Sequence, residues 1–215
     1  MTVPIPTPIY RLIHISNLEI CLRREGLYAW NHTPDDGLKW RTIHDQAVQK
    51  SRHLKAVHCG PGGFVHDYVP FYFGYLSPMM LKLKTGRVEG YREGQEPLIY
   101  LVSNVQKIDS SQHRYVFSDG HDLATLTGWY DQISDLDNVD WTVVYRRIWN
   151  VIPNDRDRQR RKQAEFLIHQ FCAWEHIDKI IVIDSEKKAQ VEQIQAAFSE
   201  KLHRLVEVNR EWYYR

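Results

Sequence analysis

The polar and apolar positions of this chain change period over short distances, which is typical of a protein that mixes strands and helices. Residues 9–14, 98–103 and 177–184 are apolar runs with the length of buried strands, and residues 114–117 and 205–208 predict shorter strands. Residues 164–169 alternate between apolar and other side chains, which favours a strand over a helix, although a helix stays open.

Four segments predict helices. Ser16 opens the first, Glu19 completes a capping box three residues later, and Gly26 ends the helix. Residues 43–56, 123–132 and 186–202 have helical composition, while residues 31–39 and 151–159 read as loops. No internal repeat, low-complexity tract or linker interrupts the chain, so we expect one α+β domain with mixed short strands over residues 1–215.

Bulk composition narrows the class of protein. The 215 residues are 43% hydrophobic, and no apolar run approaches the ~20 residues of a membrane span. No basic stretch precedes an apolar region near the start, which argues against a signal peptide. Three scattered cysteines give no disulfide framework and fit a reducing compartment. We therefore expect a cytoplasmic protein without a membrane partner.

Charge is balanced overall at +1 but is concentrated locally. Residues 146–162 hold seven basic side chains against two acidic ones, a local excess of five. Such a run is either a solvated face or a strip that binds phosphates. Trp129, Trp141 and Trp149 are near enough in sequence to supply rings on which bases of a single strand could stack.

Residues 66–73 read HDYVPFYF, stand behind Gly62-Gly63, and are followed by Ser77-Pro78-Met79. The segment fits either an aromatic core strand or a surface for stacking a base or a nicotinamide ring. No G-x-G-x-x-G or P-loop pattern occurs, so the common nucleotide-binding motifs are not supported. His58, Cys59 and His66 lack the spacing of a metal site, and we predict no metal.

Glu165 stands in the apolar run Ala164-Glu165-Phe166-Leu167-Ile168. A carboxylate there is either exposed on a half-buried strand or buried with a partner or a role that offsets its desolvation. Arg52, taken alone, reads as a surface arginine on a polar helix.

Three motifs, taken together, resemble a known family. HDYVPFYF, the following Ser77-Pro78-Met79 and the downstream run Gln163-Ala164-Glu165-Phe166-Leu167 resemble the DarT family of DNA ADP-ribosyltransferase toxins, and the likeness extends from Tyr10 to Tyr214. The resemblance implies an ADP-ribosyltransferase-like fold. It also implies a toxin of a toxin–antitoxin system, with a place in antiviral defence, that transfers ADP-ribose from NAD onto thymine in single-stranded DNA and blocks replication.

The resemblance assigns roles to single residues. Glu165 would stabilise the oxocarbenium-like transition state, as carboxylates do in glycosidases, and Arg52 would pair with it. The residues expected to contact NAD, besides Arg52, are Arg11, Leu12, Ile13, Tyr28 and Tyr72, the first three through their backbone. Some relatives have His and Thr where this chain has Arg11 and Ile13.

Residues 121–165 would form the loop that binds the substrate. The residues expected to bind DNA there are His121, Trp149, Arg158, Arg160 and Arg161. Relatives can have a basic residue six positions before the catalytic Glu, where this chain has Gln159. The expected partner is a macrodomain antitoxin that removes ADP-ribose from DNA. A transferase acting on guanine, RNA or protein, and a non-catalytic single-strand binding module, remain as alternatives.

Overall fold

The computed structural model describes residues 2–215 and contains ten strands and seven α-helices within them. The strands are β1 (Pro8–His14), β2 (Gly26–Tyr28), β3 (Tyr68–Tyr72), β4 (Leu98–Asn104), β5 (Tyr115–Ser118), β6 (Trp129–Tyr130), β7 (Glu165–His169), β8 (Phe171–Ala173), β9 (Lys179–Val182) and β10 (Leu205–Val208). The helices are α1 (Leu18–Arg23), α2 (Gln46–Leu54), α3 (Pro78–Lys84), α4 (Val105–Ser110), α5 (Trp141–Val144), α6 (Arg158–Arg161) and α7 (Ser185–Ala196).

Eight strands form one sheet in the order β10-β9-β4-β1-β3-β7-β5-β6, and β2 pairs with β8 in a small second sheet. Neighbouring strands are antiparallel except β9 and β10, which are parallel and joined through α7. The predicted α+β class is confirmed, as are the strands expected near residues 9–14, 98–103, 114–117, 164–169, 177–184 and 205–208.

Two local predictions are wrong. The first helix has no capping box: its N-cap Asn17 makes no side-chain cap, and Glu19 pairs instead with Arg23 one turn later. Gly26 begins β2, and Glu25 takes the left-handed conformation with φ 47°. Residues 123–132 are not helical. Asp119 Oδ1 accepts the Gly128 N–H at 2.8 Å, which folds this segment into a turn that leads into β6.

The two faces of the large sheet are packed differently. Since residues directly opposite each other on adjacent strands share a face, the register places Ile9, Phe71 and Phe166 on one face, in the main core with α1 and α7. The other face carries two smaller apolar clusters, one around Tyr100 and α3 and one around Tyr68 and Leu167. Tyr72 and Glu165 lie opposite each other between these clusters.

The sheet opens between β1 and β3. Strand β1 pairs with β4 along its whole length, but with β3 only at Tyr10 and Tyr72. Beyond that pair, Arg11 Nη1 donates to the Pro70 carbonyl at 2.9 Å. Pro70 has no N–H to offer, and the open seam tolerates it for that reason. A side chain therefore bridges a gap that a backbone ladder would close elsewhere.

The aromatic segment at residues 66–73 is a core strand, as one of its two interpretations predicts, and its stacking role stays a prediction. Val69, Phe71 and Phe73 are buried in the main core, while Tyr68, Pro70 and Tyr72 alternate onto the opposite face. Residues Val65–Asp67 form a 3-10 turn before β3. The strand is a core strand on one side and the wall of a cleft on the other.

No helix within the described residues 2–215 is long and apolar enough to span a bilayer.

The carboxyl-terminal segment closes the sheet beside β4 and β9. The buried Tyr213 hydroxyl lies 2.9 Å from the Leu98 carbonyl and 3.2 Å from the Ile181 carbonyl. Tyr91 belongs to the same cluster, but its buried hydroxyl has no hydrogen-bond partner within the described part of the chain. The two tyrosines therefore form a matched pair for testing what a buried hydroxyl contributes.

We expect Tyr213→Phe to lower the free energy of unfolding by about 1–2 kcal/mol because it removes a satisfied buried hydrogen bond. Tyr91→Phe should leave stability unchanged or raise it, since it removes only an unsatisfied hydroxyl. Urea denaturation of both variants measures the difference. Equal losses in the two variants would contradict the hydrogen-bond assignment.

Candidate active site

A cleft of about 580 Å³ opens on the face of the sheet that carries Tyr72 and Glu165. Its volume lies within the range of small-molecule sites. The walls come from β1, β3, β7, α2 and the segment before α2, and the lining includes Arg11, Tyr28, Trp30, His44, Arg52, Tyr72, His121 and Glu165. The cleft thus lies above the seam between β1 and β3.

Arg52 and Glu165 form a buried bidentate ion pair at the floor of this cleft. Arg52 Nη1 donates to Glu165 Oε1 at 3.0 Å, and Nη2 donates to Oε2 at 2.9 Å. The Arg52 side chain is 8% exposed and that of Glu165 is 2% exposed. A fork-to-fork pair of this kind fixes the plane of both groups. The buried reading of Glu165 is confirmed, and the reading of Arg52 as a surface residue is wrong.

Local structure explains how each partner reaches the pair. Asp45 caps α2 by accepting the N–H groups of Ala47 and Val48, and Arg52 lies in the last turn of the helix. Glu165 is the first residue of β7 and directly faces Tyr72 on β3. Its backbone N–H donates to Ser118 Oγ at 3.3 Å. One partner therefore comes from a helix end and the other from a strand end.

Burial and charge act in opposite directions on this pair. Burial raises the pKa of Glu165, Arg52 opposes that rise, and Asp122 adds to it. Burial acts to lower the pKa of Arg52, but Glu165 and Asp122 together raise it above its ordinary value. Arg52 is therefore a permanent cation in the cleft.

A second carboxylate contacts the pair. Asp122 is fully buried, and its Oδ2 lies 3.1 Å from Arg52 Nη1. This contact is ionic and lacks the alignment of a hydrogen bond, since neither carboxylate oxygen of Asp122 has a hydrogen-bond partner within residues 2–215. With both carboxylates ionised, the three side chains carry a formal charge of one negative unit.

Other polar groups surround the cleft without joining this trio. Burial and the charge of Arg52 lower the pKa of Arg11 to about 10, and its Nε has no hydrogen-bond partner among the described residues. Burial, followed by Arg11 and Arg52, lowers the pKa of His44 to about 3, so its imidazole is neutral at pH 7. Burial and Glu165 raise the pKa of Tyr72. The cleft thus offers cationic donors and a neutral imidazole around one net negative charge.

The residues predicted to contact NAD fall into two groups. Arg11, Tyr28, Arg52 and Tyr72 line the cleft. The side chains of Leu12 and Ile13 are buried in the core and do not line it, so only their backbone is available to a ligand. The edge of β1 that faces β3 beyond Tyr10 has no strand partner in the described chain, and its backbone is open to the seam.

The residues predicted to bind DNA are placed unevenly. His121 lines the cleft, and its Nδ1 accepts the Leu123 N–H at 3.1 Å. Trp149 is 9% exposed, and its indole donates to the Tyr214 hydroxyl at 2.8 Å. This burial leaves little of the Trp149 ring for stacking. The DNA-binding roles of both residues stay predictions.

The three arginines of α6 in the predicted basic strip are paired with aspartates. Arg158 pairs with Asp155 at 3.1 Å, Arg160 pairs with Asp119 and Asp157 at 2.8 Å each, and Arg161 pairs with Asp140 and Asp155. These ion pairs tie α6 to the ends of β5 and α5. The DNA-binding roles of Arg158, Arg160 and Arg161 also stay predictions. To contact a DNA phosphate, each of these guanidinium groups would have to bind the phosphate in addition to its aspartate or in place of it.

Lys162 is the buried member of the same basic run. It is 2% exposed, and its Nζ donates to the carbonyls of Val144 at 2.6 Å and Arg146 at 2.8 Å. Burial lowers the pKa of Lys162 to about 7. The side chain anchors the end of α5 three residues before Glu165.

Sequence reasoning missed Asp122, His44 and Lys162. Asp122 follows His121 in a polar turn and resembles an ordinary loop aspartate, while Lys162 looks like one more charge in a basic run. Only the fold shows that both are buried. The described residues contain no group of three or more His, Cys, Asp and Glu side chains arranged to hold a metal.

Comparison with known proteins agrees with this geometry. The model of the family described as "DarT: ssDNA thymidine ADP-ribosyltransferase" matches residues 10–214. A DNA ADP-ribosyl transferase of Thermus sp. (strain 2.9) is 36% identical over 213 residues, covering 99% of each chain. A DNA ADP-ribosyl transferase of Escherichia coli O127:H6 is 32% identical, covering 96% of this chain and 93% of that protein.

Solved structures give the same picture. The structure of Thermus sp. 2.9 DarT in complex with ADP-ribosylated ssDNA has a TM-score of 0.93 and 35% identity, and the match covers 100% of this chain and 99% of that chain. The structure of the same protein in complex with NAD+ has a TM-score of 0.89 at 35% identity, covering 99% of this chain and 100% of that one.

The charge balance of the trio predicts which substitution destabilises the protein more. Glu165→Gln leaves Arg52 opposite Asp122, a neutral buried pair, so we expect a modest loss of stability. Arg52→Met leaves two buried carboxylates without a cation and should cost about 3–5 kcal/mol. Urea denaturation of both variants at pH 7 measures the difference.

Acid should narrow the gap between Arg52→Met and the wild type. Without Arg52, burial and the charge of Asp122 raise the folded-state pKa of Glu165 above its unfolded value. Raised carboxyl pKa values destabilise the folded state above the unfolded pKa and cease to do so when the groups are protonated. The deficit should therefore shrink between pH 7 and pH 5. A deficit that is constant with pH would contradict the assignment.

Proposed function

The chain belongs to the DarT family of single-stranded DNA thymidine ADP-ribosyltransferases, and we propose that Glu165 and Arg52 perform the transfer of ADP-ribose from NAD in this cleft. The observation that carries the proposal is the buried bidentate pair at the cleft floor. A binding module has no need of such a pair, because a buried carboxylate costs stability unless it has a role.

Glu165 is suited to stabilise positive charge. Breaking the bond between nicotinamide and ribose leaves an oxocarbenium-like cation, and a fixed carboxylate facing that carbon lowers the barrier. Because Arg52 holds both oxygens of Glu165, the carboxylate needs no reorientation when the charge develops. The trio with Asp122 keeps one net negative charge for this purpose.

Arg52 is an orienting and electrostatic group. Two carboxylates raise its pKa, so it is a cation in the resting cleft. Its guanidinium faces a cleft that also contains Arg11, which gives two cations for the pyrophosphate of NAD. The nicotinamide amide is proposed to meet the open backbone edge of Arg11, Leu12 and Ile13, with Tyr28 and Tyr72 bordering the ring.

The acceptor is proposed to be a thymine in single-stranded DNA, held by the loop of residues 121–165. A ring nitrogen that takes part in pairing is hidden in a duplex, so the base must be exposed before transfer. His121 lines the cleft beside Glu165 and is the member of the predicted DNA-binding set that is best placed to contact the base. Arg158, Arg160, Arg161 and Trp149 belong to the same loop and are proposed to support the strand.

The biological role follows from the family. We propose a cytoplasmic toxin whose modification of thymine blocks replication and whose partner is a macrodomain antitoxin that removes the ADP-ribose. This proposal rests on family membership, and the cleft supports it only through the NAD-dependent chemistry.

The acceptor can be tested with four homopolymer oligonucleotides, NAD and mass spectrometry of the products. The thymine strand should gain ADP-ribose, and the same strand annealed to its complement should react far more slowly. Glu165→Gln should lower the rate by roughly 10²–10³-fold, since it removes a charge felt mainly in the transition state. Surface variant Glu192→Gln on α7 is the control and should retain the wild-type rate.

Three results would separate the alternatives. Activity confined to guanine would make guanine the acceptor in place of thymine. Modification of RNA or protein with all DNA inert would overturn the DNA acceptor but leave the transferase activity in place. Wild-type turnover by Glu165→Gln would overturn the catalytic assignment.

The DNA path can be tested through the salt dependence of binding. Arg146 and Arg156 are exposed and have no ion pair within residues 2–215, whereas Arg160 pairs with two aspartates. Each lost phosphate contact lowers the slope of log K against log salt by about 0.7 for a single strand. If α6 contacts phosphate as predicted, Arg160→Gln will lower the slope. If Arg160 only ties the loop together, the slope will fall in Arg146→Gln or Arg156→Gln instead, and Arg160→Gln will lower the melting temperature.

A further inference from the structure

Asp122 is a loop residue, yet its carboxylate is buried and makes no hydrogen bond within the described residues. Its side chain is 0% exposed, and both of its carboxylate oxygens lack a hydrogen-bond partner within residues 2–215. A buried carboxylate without hydrogen bonds costs stability. Such a group in a native protein calls for an explanation in terms of function.

The surroundings of Asp122 restrict what that function is. Oδ2 lies 3.1 Å from Arg52 Nη1, and Oδ1 lies 3.2 Å from His121 Nδ1. Because His121 Nδ1 accepts the Leu123 N–H, a neutral His121 has no proton there to give Asp122. Arg52 is therefore the cation that stabilises the charge of Asp122.

Arg52 Nη1 consequently lies between two carboxylates, with Glu165 Oε1 at 3.0 Å and Asp122 Oδ2 at 3.1 Å. Glu165 is on β7 and Asp122 is in the turn after β5, so the guanidinium is fixed from two separate elements. The other ionisable groups that interact electrostatically with members of this trio are Arg11, His44, His66, Tyr72 and His121.

We propose that Asp122 is a positioning residue for ADP-ribosyl transfer, which holds Arg52 Nη1 from a second element of the fold and, when ionised, leaves the trio with one net negative charge. The inference rests on the proposed function of the cleft. It adds a third member to a site that the sequence and the family resemblance assign to Arg52 and Glu165 alone.

The chemistry shows why the extra charge matters. The bond between the ribose C1′ and the nicotinamide nitrogen breaks, and its electron pair leaves with neutral nicotinamide. The ribose becomes cationic, the thymine ring nitrogen bonds to C1′, and the proton of that nitrogen is released to water. With Asp122 ionised, the positive charge of Arg52 is balanced and one negative charge remains near the ribose cation. Without it, the Arg52–Glu165 pair is neutral and stabilises that cation less.

Asp122→Asn tests the proposal, because it removes the charge and keeps the shape. We expect kcat on a thymine oligonucleotide at saturating NAD to fall about 10- to 100-fold, with the KM for NAD nearly unchanged. The melting temperature should not fall, since a buried unsatisfied charge is removed. Glu192→Gln, an exposed carboxylate on α7 outside both the cleft and the loop of residues 121–165, is the control and should retain wild-type kinetics.

The pH profile distinguishes positioning from simple structural support. Asp122 raises the pKa of Glu165, so its removal should move the acid limb of kcat/KM to lower pH. A mutation that only loosened the loop would lower the rate without moving that limb.

The outcomes are separable. A wild-type protein that transfers nothing would overturn the proposed function itself and with it this inference. An active wild type with Asp122→Asn at full rate and an unmoved acid limb would overturn the role of Asp122 alone. A slower variant with a lower melting temperature and an unmoved limb would also overturn it. If Asp122→Asn does not fold, Asp122→Ser is read in the same way, and failure of both to fold would make Asp122 a stability residue and end the proposal.

Discussion

The buried ion pair between Arg52 and Glu165 is the interaction on which the arrangement of the cleft depends. The buried carboxylate of Glu165 needs Arg52 beside it, because desolvation of an isolated ion costs several kcal/mol. The end of α2 must therefore stay against the start of β7, although the two partners are 113 residues apart in sequence. This requirement fixes the position of the cleft floor. The proposed sites for NAD and DNA and the proposed role of Asp122 all depend on that position.

The open seam in the sheet serves the same site. A continuous ladder between β1 and β3 would bury the backbone edge that the cleft exposes, and Pro70 and the side chain of Arg11 keep that ladder from forming. The opposite face of the sheet remains one continuous core, so the opening does not divide the protein. One face of the strands therefore packs the core that stabilises the protein, and the other face lines the cleft that a ligand can enter.

The sequence predicted the strands well because each is a short apolar run or a clean alternation, as in β4 and β7. It failed at residues 123–132, where a helical composition is overridden by the turn that Asp119 and Gly128 make. It also placed a capping box at Ser16, whereas the His14 side chain caps a 3-10 turn there and α1 begins after Asn17 without a side-chain cap. Such local errors arise where tertiary contacts decide between competing conformations.

The candidate site divides along the same line. Glu165 could be suspected from one carboxylate in an apolar run, but the burial of Arg52 is invisible in a polar helix and was assigned by resemblance alone. Nothing in the sequence indicated that Asp122 and Lys162 are buried, because the identity of a charged residue does not show whether it is buried or exposed. The basic run was open to two interpretations in sequence, and the pairing of Arg160 and Arg161 with the distant Asp119 and Asp140 could not be foreseen there.

The claim that Arg52 and Glu165 act as one catalytic unit is tested most directly by a double-mutant cycle on single-turnover transfer to a thymine oligonucleotide. The rates of Arg52→Met, Glu165→Gln and the double variant would be compared with the wild type, each after confirming a folded state. Groups that act as a unit are non-additive, so the double variant should be about as slow as the slower single variant. Rate losses that multiply in the double variant would mean that the two residues act independently and would contradict the account.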